Sequence, residues 1–315
     1  MDPWLIALLI TLACLIAYMS ASYAIYRKIF VVKTFKEIQF VDHESAFFKP
    51  SRDWYEKSPK EDVKIHAYDN TLLHAVYLPS YDEKSTQTAI VMHGYKSRAT
   101  DMIVIGKMYN DMGFKVLLVD MRGHGLSKGE FTSFGHYEKM DLKKWILYAL
   151  RTYGSNDKIL VHGASMGAAT AILASVENLP ENVKLIVADS GFTTFIRLFA
   201  KFTKPKLLLV FFPGLSAVTY YFHRFFLHQI SPLRAMRKNK IPIVILHGKK
   251  DEMVPYSMGV ELIETSKAPF KELYSVDEAR HTQSYVVDKK GVEKRLFEII
   301  NKFFNIKKMV HKQMK

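Results

Sequence analysis

One serine stands between two glycines in the run Gly163-Ala164-Ser165-Met166-Gly167, with an apolar run at 159–162 before it and a helical apolar pattern at 168–178 after it. A strand that turns into a helix within so few residues brings the two backbones almost into touch, so the positions around the serine must be small. The hydroxyl is then held at the strand's end with a helix N-terminus behind it, which suits a nucleophile for acyl transfer. A Gly/Ser turn without chemistry is the plainer reading of the five residues alone; the strand before and the helix after favour the nucleophile. A serine hydroxyl attacks only when a base takes its proton and a carboxylate orients that base. With the nucleophile on such a turn, the partners follow in the order serine, acid, histidine, each on a loop after a later strand.

Asp251 follows the apolar run 243–247 through Gly248-Lys249-Lys250, and His281 follows 272–276 and precedes the last helical pattern. These are the expected acid and base, with Asp189, at the end of the preceding strand, as the competing acid. Of the other eleven histidines, His93, His124, His136 and His162 precede the acid in sequence, and the rest lie in the N-terminal third, in the stretch 192–240, at a strand end or in the tail. A tetrahedral intermediate carries a negative oxygen that needs two preset N–H donors. The backbone N–H groups of Met166 and of Tyr95, the latter just after His93-Gly94, are expected there. Phe192, Phe195 and Met253 are the candidate substrate-lining side chains.

These residues need a frame. Strands are expected at 63–67, 72–78, 89–93, 116–120, 159–162, 185–188, 243–247 and 272–276, and apolar spacing of three and four predicts helices at 101–112, 137–153, 168–178, 257–266 and 292–304. Strand alternating with helix means a mostly parallel sheet covered on both faces. The stretch 192–240 breaks the rhythm: it is rich in aromatics, lacks a good strand and reads as an inserted helical unit.

Residues 4–26 contain no charge, and about 20 apolar residues suffice to cross a bilayer. A transmembrane helix is expected, since no basic stretch precedes Trp4 and the run exceeds a signal peptide's apolar core. Small residues at Ser20, Ala21 and Ser22 keep cleavage open as the alternative. The single cysteine, Cys14, excludes a disulfide framework and a cysteine zinc cluster. No metal cluster or phosphate loop is visible, and Gly123-His124-Gly125 lacks the third glycine of a dinucleotide fingerprint, so neither cofactor nor metal is expected.

The chain of 315 residues has 45 Lys and Arg against 31 Asp and Glu, a net charge of +14. The excess is local. From 190 to 250 there are eleven Lys and Arg and no acid, and further lysines and arginines cluster at Arg27, Lys28, Lys33 and Lys36 and at Lys307, Lys308, Lys312 and Lys315. The remainder is mildly acidic, which favours a membrane surface or an anionic amphiphile over nucleic acid.

Taken in order, the blocks Val91-Met92-His93-Gly94-Tyr95, Asp120-Met121-Arg122-Gly123-His124-Gly125-Leu126-Ser127, the turn at Ser165, His247-Gly248-Lys249-Lys250-Asp251-Glu252-Met253-Val254-Pro255 and His281 resemble the serine branch of the α/β-hydrolase superfamily. Within it the chain is similar to bacterial membrane-anchored hydrolases described as serine aminopeptidase-like or related to bile-acid acyltransferases. The resemblance implies an α/β-hydrolase fold with an eight-stranded sheet and a helical lid at 192–240. It implies no cofactor and a supporting role for the 120–127 block. The expected organisation is an anchor at 1–26, a connector at 27–60, a hydrolase domain at 61–306 and a basic tail at 307–315. The expected activity is cleavage of a small or lipid-like carboxylic ester by a single-pass membrane enzyme, its domain placed on the cytoplasmic side by flanking charge. A peptidase or amidase using the same residues, and a non-catalytic binding protein on the same fold, are the alternatives.

Overall fold

The computed structural model describes residues 1–32, 45–304 and 306. A long helix α1 (Pro3–Phe30) and a short one, α2 (Lys49–Lys57), precede an alternating body. The body runs β1 (Glu61–His66), β2 (Leu72–Leu78), β3 (Gln87–Met92), α3 (Ile103–Asp111), β4 (Lys115–Asp120), α4 (Glu138–Tyr153), β5 (Lys158–Ala164), α5 (Met166–Ala174) and β6 (Val183–Asp189). An insert of α6 (Phe195–Phe202), α7 (Phe212–His223) and α8 (Pro232–Met236) follows, with 3-10 turns at Lys206–Phe211 and Leu227–Gln229. The chain closes through β7 (Ile243–Gly248), α9 (Tyr256–Thr265), β8 (Lys271–Val276), α10 (Ser284–Val287) and α11 (Lys289–Phe304). All eight expected strands and the five expected helices of the body form, and no strand lies between β6 and β7.

One sheet holds all eight strands in the order β1-β2-β4-β3-β5-β6-β7-β8. β2 runs antiparallel to both β1 and β4, and the other pairs are parallel. Strands covered on both faces must be apolar on both faces, and β3 shows it. Ile90 and Met92 join one hydrophobic layer with α4, α5, the insert and the end of α1, while Ala89 and Val91 join the other with α3 and α11. The C-terminal ends of β3, β5, β6, β7 and β8 therefore share one edge; Asp189 closes β6 there, and Ser165, Asp251 and His281 lie on the loops leaving it.

Two features depart from expectation. The stretch read as a connector holds α2, whose only buried residues are Ser51 and Trp54, too thin an apolar stripe to announce a helix. The N-terminal helix runs on to Phe30, and its second half is no free anchor: residues 1–17 are exposed, but Ser22, Tyr26 and Phe30 are buried. Tyr26 stacks on Phe222 and hydrogen-bonds His223 Nε2, and Phe30 packs against Phe134 and Phe195. Lys33, Lys36 and the basic tail at 307–315 lie outside the described residues.

Candidate active site

β5 ends at Ala164, and Ser165 follows with φ 53° and ψ −109°, a left-handed backbone that costs a non-glycine residue about 1–3 kcal/mol. Its N–H donates to the Asp189 carbonyl at 2.8 Å, tying the turn to the neighbouring strand. The flanking glycines are required sterically. A Cβ on Gly163 would stand 2.2 Å from the Gly167 backbone, and one on Gly167 would stand 2.6 Å from the Met92 carbonyl oxygen. β3, β5 and α5 converge there too closely for any side chain.

His281 reaches this serine from the loop after β8. Its Nε2 lies 2.8 Å from Ser165 Oγ, and its Nδ1 lies 2.7 Å from Asp251 Oδ2. Asp251 Oδ1 accepts the backbone N–H groups of Met253 at 2.9 Å and Val254 at 2.8 Å, and His247 Nε2 stands 3.4 Å from its Oδ2. Burial works to raise the pKa of this carboxyl, but hydrogen bonds from His247, His281 and Val254 outweigh it and hold it well below the usual carboxylate range. The chain of contacts therefore runs from an ionised carboxylate through an imidazole to a hydroxyl, an arrangement able to draw the proton from Ser165 and return it to a leaving group.

The competing acid is placed differently. The Asp189 carboxylate accepts the Ser190 hydroxyl at 2.9 Å, and Ser190 Oγ in turn accepts the N–H of Thr282 at 3.0 Å. Burial pushes the pKa of Asp189 up to about 6 against the pull of the Ser190 hydrogen bond. Asp189 thus braces the loop that carries His281, while Asp251 holds the imidazole.

Met166 is the first residue of α5, where the leading N–H groups have no intrahelical acceptor. Gly94 lies against the serine, its Cβ position 3.3 Å from Ser165 Cβ, so the turn into Tyr95 borders the nucleophile. The Tyr95 ring packs on Phe134 and its hydroxyl donates to the Ile29 carbonyl of α1 at 2.8 Å. Of the three candidate lining residues, Phe192 is 1% exposed and Phe195 is 2% exposed, both within the core, whereas Met253 is 40% exposed beside Asp251.

The 120–127 block is a brace, as the resemblance implied. Asp120 accepts the N–H groups of Ala99 and Leu126 and bonds His74, and Arg122 grips both carboxylate oxygens of Asp141 at 2.7 Å and Asp69 at 2.8 Å. Two supporting histidines escaped the sequence reading. His93 donates from Nδ1 to the Gly94 carbonyl at 2.6 Å and accepts the Met121 N–H on Nε2 at 3.0 Å, and burial lowers its pKa so that it stays neutral. His247 donates from Nε2 to the Val254 carbonyl at 2.9 Å. Both are His-Gly pairs at strand ends, a repeat visible in the sequence as the place where a buried imidazole fixes a turn.

Residues 83–217 match the family model described as serine aminopeptidase, S33. The Bacillus subtilis protein YqkD is 29% identical over 217 residues, 68% of this chain and 71% of its own. The yeast membrane protein YNL320W of Saccharomyces cerevisiae is 24% identical over 73% of this chain and 76% of its own. Among solved structures, the Pyrococcus furiosus esterase Pf2001 superposes with a TM-score of 0.66 at 27% identity, covering 80% of this chain and 95% of that one. Family and neighbours support a hydrolase in general terms. With its sheet order, its strand–serine–helix turn and these relatives, the chain belongs to the α/β-hydrolase superfamily.

Proposed function

We propose that the chain is a membrane-anchored serine hydrolase that cleaves carboxylic esters of small or lipid-like substrates. The observation that carries the reading is the continuous hydrogen-bonded path from Asp251 through His281 to Ser165. In the first half-reaction Ser165 Oγ attacks the ester carbonyl as its proton passes to His281 Nε2. The oxyanion takes the N–H groups of Met166 and Tyr95, and the alcohol leaves with the proton held on His281. Water then adds to the acyl-enzyme by the same route in reverse, with His281 again as base. Asp251 keeps the imidazole in the tautomer that presents a bare Nε2 to the serine.

The insert between β6 and β7 serves as a lid, and α1 as a single-pass anchor fused to the hydrolase body, in keeping with the membrane assignment of the yeast relative. Arg27 and Lys28 at the domain end of α1 favour the cytoplasmic side; protease shaving of intact cells would degrade the domain if it faced outward. A peptidase reading is suggested by the family model's description, but an aminopeptidase must hold a cationic amino terminus, and the insert carries no Asp or Glu.

A fluorophosphonate probe tests the nucleophile. The wild-type chain should label and Ser165→Ala should not; an unlabelled wild type would favour a non-catalytic binding protein. Turnover of p-nitrophenyl esters of graded acyl length, set against aminoacyl and peptidyl p-nitroanilides, separates esterase from peptidase. Faster cleavage of the anilides would overturn the ester assignment.

A further inference from the structure

We propose that the tip of the insert, the 3-10 turn Lys206–Phe211 with the first turn of α7, is embedded in the same bilayer leaflet that α1 enters, so that the hydrolase body sits sunk into the membrane surface. The inference rests on the reading of α1 as a spanning helix, and the length of that helix drives it. At 1.5 Å per residue, the stretch from Trp4 to Ala17 that stands clear of the domain covers about 21 Å. The hydrocarbon core of a bilayer is about 30 Å thick, and tilting the helix only shortens its reach. The missing distance, about 9 Å, falls on the segment from Tyr18 to Tyr23.

That segment is already occupied on one side by the insert. Tyr18 stacks on Phe211 at 5.4 Å, Ser22 lies against Gly214, and Tyr23 meets Phe222 at 5.8 Å. α7 therefore runs parallel to α1 with its N-terminal end the deeper. Whatever depth Tyr18 reaches, the 3-10 turn reaches with it.

The composition of the tip suits that depth. In the run Leu207-Leu208-Leu209-Val210-Phe211-Phe212, Leu209, Phe211 and Phe212 are half-buried against the protein, while Leu207, Leu208 and Val210 face outward, Leu207 79% exposed and Val210 56% exposed. Such a run left in water would be a costly apolar patch; in lipid it is covered. Backbone polar groups are expensive in hydrocarbon unless paired, and the Tyr18 hydroxyl pairs two of them at this junction: it donates to the Val210 carbonyl and accepts the Gly214 N–H, each at 2.9 Å. Lys201, Lys204 and Lys206 border the tip, are exposed, and can reach lipid phosphates with their long stems. A depth of about 9 Å also lies within the 5–10 Å that interfacial elements occupy.

Single-cysteine chains in liposomes of phosphatidylcholine and phosphatidylglycerol test this with an environment-sensitive fluorophore. The native Cys14 reports the anchor itself, because it lies about 15 Å from Trp4, near the bilayer midplane if α1 spans. Leu207→Cys and Val210→Cys, each on a Cys14→Ser background, report the tip, and Lys84→Cys, at the opposite sheet edge, reports water. The expected result is quenching of Cys14 by a nitroxide near the acyl-chain ends and of both tip positions by a nitroxide near the glycerol. Iodide should then quench only the Lys84→Cys label. If Cys14 is quenched at the midplane while the tip labels lose their emission to iodide as Lys84→Cys does, the proposal is overturned and the anchor stands. If iodide reaches Cys14, the spanning reading fails and the embedded tip falls with it.

Discussion

At the scale of single residues, Asp251 and Asp189 are both buried carboxylates at strand ends, and their surroundings drive them apart. Hydrogen bonds from Met253, Val254 and His281 hold the Asp251 carboxyl well below the usual carboxylate range, so at neutral pH it faces His281 as a carboxylate. Asp251→Asn should retain the fold but lower kcat by about four orders of magnitude, because the amide favours the wrong imidazole tautomer; ester turnover beside the unfolding midpoint would show this split. Asp189 behaves in the opposite sense. Its native pKa of about 6 lies above the ordinary value of 3.8, so between these pH values the native state keeps a proton that the unfolded chain has released. The contribution of Asp189 to stability therefore falls as pH rises through that window, by up to about 3 kcal/mol for a shift of about two units. Across this range the unfolding midpoint of Asp189→Asn should rise relative to that of the wild type as pH increases, because only the wild type loses this contribution; a difference that stays constant with pH would assign the effect elsewhere. That Ser165, Asp251 and His281 come together was legible in the sequence because each is announced by its neighbours: a glycine-flanked turn, or a loop directly after a strand. Phe192 and Phe195 were less legible: both are buried in the core, and an aromatic side chain fills a core and lines a pocket with the same chemistry, so only its neighbours decide which.

At the scale of elements, the site depends on how closely strand ends approach the loops across from them. Gly248, the last residue of β7, sits where a Cβ would be 2.2 Å from the Ala279 carbonyl oxygen. That contact sets the spacing between the loop of Asp251 and the loop of His281, which are also stitched by Lys250 N–H to the Ala279 carbonyl at 3.0 Å. Gly248→Val should push the two loops apart and cost activity well beyond its effect on folding. Fluorophosphonate labelling rates compared with thermal midpoints would measure this, and parallel losses in both would contradict it. The eight strands were legible because burial on both faces demands continuous apolar runs. The docking of α1 was not. Tyr18, Ser22, Tyr26 and Phe30 recur every fourth residue, but in a helix apolar all round no stripe stands out, and lipid and protein ask for the same residues. Sequence reading accordingly separated an anchor from a domain where packing joins them.

At the scale of the whole molecule, that joint determines what can be removed. A chain beginning at Tyr18 keeps every buried contact of α1 and should fold in detergent with its activity intact. A chain beginning at Val31 loses Tyr26 and Phe30 from the core. Removing one large buried aromatic typically costs about 3–5 kcal/mol, and two approach the whole net stability of a domain, about 5–15 kcal/mol. Circular dichroism melts of the two truncations should show a cooperative transition in the first and none in the second; equal melts would mean that the inner half of α1 is dispensable. The basic excess belongs to this same region, since the acid-free stretch forms the insert that clasps α1. The clasp also imposes an order on synthesis. α1 leaves the ribosome before the segments that cover it: the partners of Phe30 arrive only at Phe134 and Phe195. At translation rates of 5–20 residues per second that delay is on the order of ten seconds. Throughout it the inner face of α1 has no protein against it, and only a bilayer or a chaperone can shield that face until the chain's middle is made.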